Sequence, residues 1–141
     1  AYEISTRDWS SDVCSSDLLG KATERRPGLQ AVAATVPAIT LDAFVYDLGN
    51  PAPDLVKIDV ESAEPLVLAG ARRLLSEKRP RLVIEVHGPR ACHDTIADLL
   101  ARNYRITMLA KEGRIAVTAA DQLRSRFRKN KWTYHLLALP T

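Results

Sequence analysis

The sequence predicts an α/β fold equivalent to the second half of a doubly wound domain: a mainly parallel sheet with helices on its faces. Two observations lead to this fold class. From residue 55 onwards, short apolar runs of strand length alternate with segments of helical periodicity. Prolines, glycines and polar turns separate them, and a strand–helix–strand order makes consecutive strands parallel. We expect residues 32–141 to form this partial domain.

Composition limits the class of protein. Of the 141 residues, 46% are hydrophobic and 26% are charged, which is typical of an ordinary globular domain. The net charge of +3 requires neither a nucleic-acid nor a membrane partner. The sequence has no apolar run long enough to span a membrane and no secretory signal pattern, so we expect a cytoplasmic location. Two cysteines, Cys14 and Cys92, are too few for a disulfide framework or a metal site, and no metal is expected.

Residues 1–31 differ from the rest of the chain. They are polar and weakly periodic, which favours a disordered or artefactual leader over a folded element. Residues 12–18 (DVCSSDL) resemble the in-frame translation of a commonly used sequencing adapter. We therefore expect residues up to about Leu18 to be foreign to the domain. The alternative is a serine-rich surface loop.

The next elements are defined by their flanking residues. Residues 36–41 form a β-branched run, and Asp42 is a plausible N-cap for a short helix that ends before the prolines of residues 49–53. Residues 55–60 are apolar apart from Lys57 and Asp59, which predicts a strand buried on both faces. Ser62 can then cap a helix whose apolar residues recur as far as Leu75 and which stops at residues 78–80 (KRP).

The second half of the chain repeats this order. Residues 81–87 predict another buried strand, and the helix after Pro89 places Cys92 and Ile96 on one face, with Asn103 as its C-cap. Three more strand-like runs follow, at residues 104–110, 115–117 and 132–139.

Polar side chains end the first two predicted strands. Asp59 and Glu61 end the first, and Glu85 and His87 end the second. Ligands of open α/β sheets bind outside the carboxyl ends of the strands, and neighbouring parallel strands end at the same edge. We therefore expect these groups to converge on a candidate active site.

Four blocks around these residues resemble FkbM-family methyltransferases in order and spacing. They are residues 36–42 (VPAITLD), 53–64 (PDLVKIDVESAE), 67–71 (VLAGA) and 79–87 (RPRLVIEVH). The resemblance extends over about residues 32–139. It implies the C-terminal half of a Rossmann-like (class I) methyltransferase fold, a mainly parallel sheet with an antiparallel last strand. It also implies methyl transfer from S-adenosylmethionine to a hydroxyl of a sugar or a secondary metabolite.

This reaction requires an aligned acceptor oxygen and a base. We assign catalytic roles to Asp59, Glu61 and His87, and acceptor- or cofactor-orienting roles to Lys57 and Glu85. Structural alternatives remain open for each. Asp59 could cap the next helix and Glu61, like Glu64, could complement the positive end of that helix. Lys57 could pair with Glu85, and His87 could be a turn histidine. No role is expected for His93, His135 or Cys92.

Two features depart from the family pattern. Ser62 occupies the position after the Asp-x-Glu pair where the family usually has glycine, so either the turn tolerates serine or the backbone differs. The first strand and glycine-rich turn that hold the cofactor are not recognisable around Gly20 or Gly28. We therefore expect the chain alone to bind S-adenosylmethionine poorly, with residues 55–60 forming an exposed sheet edge.

A rival hypothesis comes from the basic stretch at residues 124–132. It combines five cations with Phe127 and Trp132, a pattern that can bind single-stranded nucleic acid. One short patch on a chain of low net charge is a weak signal, and a solvated loop is the favoured interpretation. The preferred partner is a small-molecule hydroxyl acceptor. A reading frame without activity is a third possibility, and the sequence predicts neither the acceptor nor the oligomeric state.

Overall fold

The computed structural model describes residues 38–111, 113–127 and 132–141. The predicted leader, residues 1–31, lies outside them. The described residues form five strands, β1 (Leu55–Asp59), β2 (Arg81–His87), β3 (Tyr104–Ala110), β4 (Gly113–Val117) and β5 (Thr133–Pro140). Three α-helices lie between strands: α1 (Glu64–Ala69), α2 (Arg72–Glu77) and α3 (Pro89–Ala101). A π-helical turn (Ala43–Asp47) precedes β1, and a 3₁₀ helix (Ala120–Arg126) precedes β5.

The strands form one sheet in the order β1-β2-β5-β3-β4. β1 and β2 are parallel, whereas β5 is antiparallel to both β2 and β3, and β3 is antiparallel to β4. The antiparallel last strand is therefore confirmed. The prediction of a mainly parallel sheet is wrong. β5 lies between β2 and β3 and pairs antiparallel with both, so these two strands do not form a parallel pair. β1, β2 and β3 nevertheless run in the same direction.

The two faces of the sheet differ in burial. Alternate residues of each strand on one face belong to a single core, with Ile58, Ile84, Leu136 and Ile106 at 3% exposure or less. The same core contains apolar residues of α1, α2, α3 and the 3₁₀ helix. We call the side of the sheet that packs against these helices the covered face. The opposite residues, such as Leu55, are exposed or half-buried, and we call this side the open face.

β1 is therefore not buried on both faces as the sequence predicted. Its burial alternates, with Ile58 buried and Leu55 54% exposed, because the helices of the described residues pack on one side. Within the described residues β1 pairs with β2 alone and forms one edge of the sheet, as expected.

The single helix predicted between Ser62 and the stop at residues 78–80 is wrong in extent. It is two helices, since α1 ends at Ala69 with Gly70 as its C-cap. The Gly70 carbonyl accepts a hydrogen bond from the backbone N–H of Asp42 at 3.0 Å. The Asp42 carboxylate accepts hydrogen bonds from the N–H groups of Arg73 (2.9 Å) and Leu74 (2.8 Å). Asp42 is thus a helix cap, but for α2 and not for the turn that follows it in sequence.

Candidate active site

The four predicted groups converge at the carboxyl ends of β1 and β2. Asp59 pairs in register with Glu85, and His87 follows two residues later on the same, open face. Nε2 of His87 lies 3.7 Å from Glu85 Oε1 and 3.9 Å from both Asp59 Oδ1 and Glu61 Oε2. Three carboxylates thus face one imidazole nitrogen, and the predicted clustering is confirmed.

The second ring nitrogen of His87 is bonded to Glu64, a residue that the sequence analysis considered only as a charge at the positive end of a helix. Nδ1 of His87 lies 2.7 Å from Oε1 of Glu64, the first residue of α1. Glu64 is fully buried and His87 is 5% exposed, so this bond orients the ring in a site shielded from water. The available signal was an acidic residue directly before a helix proline, but its burial depends on α1 packing against β1 and α3.

The loop between β1 and α1 brings Glu61 and Glu64 to the site through unusual backbone angles. Glu61 has φ +49° and Ser62 has φ +82°, in the left-handed region that favours glycine. Ser62 offsets part of the strain because its hydroxyl donates to the His87 carbonyl at 3.0 Å and its N–H donates to Glu64 Oε1 at 3.2 Å. The turn therefore accommodates serine with the backbone conformation expected of glycine.

The turn after His87 also constrains the site. Gly88 has φ +80°, and its N–H donates to the Trp132 carbonyl at 2.9 Å. A Cβ at this position would lie 3.1 Å from the Trp132 ring, so only glycine fits without displacing the indole. This contact ties the end of β2, and with it His87, to the start of β5.

The remaining candidates lie at the margin of the cluster. Lys57 Nζ lies 3.1 Å from Asp59 Oδ2, so its partner is Asp59 and not Glu85. The neighbour of Glu85 is instead His135, whose Nε2 lies 3.3 Å from Glu85 Oε2 across the β2–β5 pair. The sequence predicted no role for His135. Glu85 and His135 are far apart in the chain, so their pairing has no local sequence signal. His93 lies apart, 2.9 Å from Asp94 on α3.

The basic stretch of the rival hypothesis is only partly within the described residues, since residues 128–131 are outside them. Arg124 and Arg126 are exposed on the 3₁₀ helix. Phe127 packs edge-on against Tyr134, with ring centroids 4.9 Å apart, and its ring centroid lies 6.3 Å from that of Trp132. Phe127 is therefore engaged in intramolecular packing and not free to stack on a base.

Fold and site together define an α/β domain with a buried imidazole and several carboxylates at the carboxyl rim of its parallel strands, where α/β proteins bind their ligands. Its family is shown by comparison with known families: a model of the methyltransferase FkbM domain matches residues 5–106. The chain belongs to the FkbM methyltransferase family. No curated protein and no solved structure matches it. None of the described helices has the length and apolar character needed to cross a membrane.

Proposed function

We propose that this domain transfers a methyl group from S-adenosylmethionine to a hydroxyl of a small molecule, such as a sugar or a secondary metabolite. The single observation that carries the proposal is the environment of His87, whose Nε2 faces Asp59, Glu61 and Glu85 at the strand rim while Glu64 holds Nδ1. Family membership supports the methyl-transfer chemistry.

The chain's own residues can supply the proton-removing part of this reaction. With Glu64 accepting from Nδ1–H, the lone pair of His87 Nε2 points to the rim, where it can accept the proton of an acceptor hydroxyl. Asp59 and Glu61, 39% and 44% exposed, lie where they can align that hydroxyl or stabilise the imidazolium. Lys57 and Glu85 orient Asp59 and the acceptor.

The cofactor fits these residues in part. S-adenosylmethionine supplies an activated methyl group and carries a positive sulfonium, which suits a rim rich in carboxylates. Asp59 and Glu61 are the residues that would hold its methionine end. No glycine-rich turn after a strand occurs among residues 38–111, 113–127 and 132–141, so we propose that most of the cofactor's contacts lie outside them.

The strand directions are compatible with the C-terminal half of a Rossmann-like methyltransferase fold. β1, β2 and β3 are parallel in direction, and β5 is the reversed last strand between β2 and β3. In this interpretation β1 would be a central strand of the complete sheet. We therefore propose that the 141-residue chain alone binds the cofactor weakly and has little activity.

A binding and turnover comparison tests these proposals. The 141-residue chain and the longer product of its gene locus are titrated with S-adenosylmethionine by calorimetry, then assayed for radioactive methyl transfer to a panel of sugars and hydroxylated metabolites. We expect measurable affinity and transfer in the longer product, and affinity weaker than about 1 mM for the chain alone. Submillimolar binding by the chain would contradict the fragment proposal.

Variants of the longer product test the assigned base. His87→Gln should reduce the rate of methyl transfer by about 10²–10⁴-fold, the range for loss of a general base. Asp54→Asn is the matched control, because Asp54 is exposed just before the opposite end of β1. A His87→Gln variant with an unchanged rate would remove His87 from the mechanism, while the cofactor titration would still report on the methyltransferase assignment.

A further inference from the structure

We propose that Asp59, Glu85 and His87 form a binding site for one divalent transition-metal ion at the rim of β1 and β2. The sequence predicted no metal site, because its two cysteines lack the close spacing of metal motifs. Glu85 and His87 are neighbours on one strand, but Asp59 is distant from them in the chain. Pairing of β1 with β2 brings them together. One donor atom from each residue lies within 4.8 Å of the other two.

The distances are close to those of a coordination sphere. Ligand atoms about 2.0–2.2 Å from a tetrahedral ion lie roughly 3.3–3.6 Å from one another. His87 Nε2 is already 3.7 Å from Glu85 Oε1 and 3.9 Å from Asp59 Oδ1. Both carboxylates are partly exposed and can move, so small side-chain adjustments complete the geometry.

His87 provides an independent indication of a ligand. It is 5% exposed, and no group of the described residues lies within hydrogen-bonding distance of its Nε2. Its Nδ1 is bonded to the buried carboxylate of Glu64 at 2.7 Å. In metalloproteins a histidine ligand usually donates its second N–H to a carboxylate or carbonyl, which fixes the tautomer and raises the basicity of the metal-binding nitrogen. Glu64 is placed for that role.

Each carboxylate ligand also presents one oxygen to the proposed ion while a neighbour holds the other. Asp59 Oδ2 is bound by Lys57, and Asp59 Oδ1 faces His87. Glu85 Oε2 lies beside His135, and Glu85 Oε1 faces His87. Both side chains are thereby oriented towards a common point, where a cation would offset the repulsion between their negative charges.

The donor set indicates which ions fit. Carboxylates alone suit Mg²⁺ and Ca²⁺, whereas an imidazole ligand favours Zn²⁺ and other first-row transition ions. We therefore expect Zn²⁺ to bind more tightly than Mn²⁺, and Mn²⁺ more tightly than Mg²⁺. With three protein ligands, the ion would keep a position open for water or for an oxygen of the acceptor.

Metal binding does not depend on the methyl-transfer proposal, but it would alter how the proton is removed. An ion on Nε2 occupies the lone pair that His87 needs as a base. A hydroxyl bound to the ion would instead give up its proton more readily, because the cation stabilises the resulting oxyanion. The carboxylate of Glu61, which is not one of the three proposed ligands, lies at the same rim and would accept that proton. His87 therefore acts as the base in the metal-free domain, whereas in the metal-loaded domain the bound ion would activate the hydroxyl instead.

Metal titration of the 141-residue chain tests the site directly. The chain is stripped with a chelator, and ZnCl₂, MnCl₂ and MgCl₂ are titrated separately by calorimetry, with Mn²⁺ binding followed in parallel by electron paramagnetic resonance. We expect one Zn²⁺ per chain, and at least tenfold weaker binding in both Asp59→Asn and Glu85→Gln. Glu64→Gln should weaken binding about 10–100-fold through loss of the oriented imidazole.

The controls separate this site from adventitious binding. His93→Gln removes an exposed histidine on α3 and should leave stoichiometry and affinity unchanged. Circular dichroism verifies that each variant folds. If Glu64→Gln does not fold, the test rests on Asp59→Asn, because Asp59 is exposed. Failure to bind Zn²⁺ at millimolar concentration, or equal affinity in the wild type, Asp59→Asn and Glu85→Gln, would overturn the proposal.

Discussion

The covered and open faces of the sheet are made by the same strands but have different chemistry. Along β2, Leu82, Ile84 and Val86 are at most 1% exposed on the covered face. The residues between them include Val83 and Glu85, which are half-buried on the open face. Period-two alternation therefore gives the two faces of one strand different environments: one face packs against helices, and the other carries the titratable groups to the rim.

The largest effect should come from the covered face. Ile84→Ala removes a fully buried side chain from the centre of the core, which should lower the free energy of unfolding by about 2–5 kcal/mol. Val83→Ala, at the adjacent residue on the open face, is the matched control and should cost about 1 kcal/mol or less. Urea unfolding followed by circular dichroism measures both, and equal losses would show that the open face is also packed.

A smaller loss of stability should follow when the bond between Glu64 and His87 is changed. Glu64→Gln replaces a charge-assisted bond in a buried site and should lower the free energy of unfolding by about 1.5–3 kcal/mol. The control is Glu77→Gln, which breaks the exposed Arg73–Glu77 pair on α2 and should have a much smaller effect, because solvent screens exposed charges. An equal effect of both variants in urea unfolding would argue against a tightly coupled buried pair.

Ser62 should have a smaller effect still. Ser62→Gly loses the hydroxyl bond to the His87 carbonyl but relieves the strain of a φ of +82°. Ser62→Ala loses the same bond and keeps the strain, so the glycine variant should be more stable than the alanine variant by about 1 kcal/mol. Thermal and urea unfolding of the pair measure this difference, and an alanine variant at least as stable would exclude backbone strain at Ser62.

The smallest effect concerns Cys92, whose ionisation should not change the stability of the fold near neutral pH. Burial against the covered face, together with the negative charge of Glu64, raises the pKa of the Cys92 thiol from 9.0 to about 12. Since the folded-state pKa is above the unfolded value, the stability from the protonated thiol is complete below pH 9.0 and decreases as the pH rises towards 12. In a Cys14→Ser variant, Ellman's reagent at pH 8 should label Cys92 slowly in the native chain and rapidly in urea. Rapid native labelling would show an accessible thiol.

Several features followed from sequence pattern because they are local. The apolar runs, their turn residues and the helix after Pro89 determined where β1, β2 and α3 lie, since period and flanking residues specify element type. The polar groups ending β1 and β2 located the rim site, because parallel strands place their carboxyl ends together. For Ser62 the family pattern left two alternatives, a turn that tolerates serine or a different backbone, and its φ of +82° corresponds to the first.

Other features depend on contacts between residues distant in the chain, so only the tertiary structure decided them. Insertion of β5 between β2 and β3 made most strand pairs antiparallel and brought His135 to Glu85. Other long-range contacts made Asp42 the cap of α2 and placed the buried Glu64 against His87. Local sequence thus determined which chemical groups reach the rim. The orientation of the imidazole depended on long-range packing, because a buried carboxylate pairs with whichever partner the fold brings within hydrogen-bonding distance.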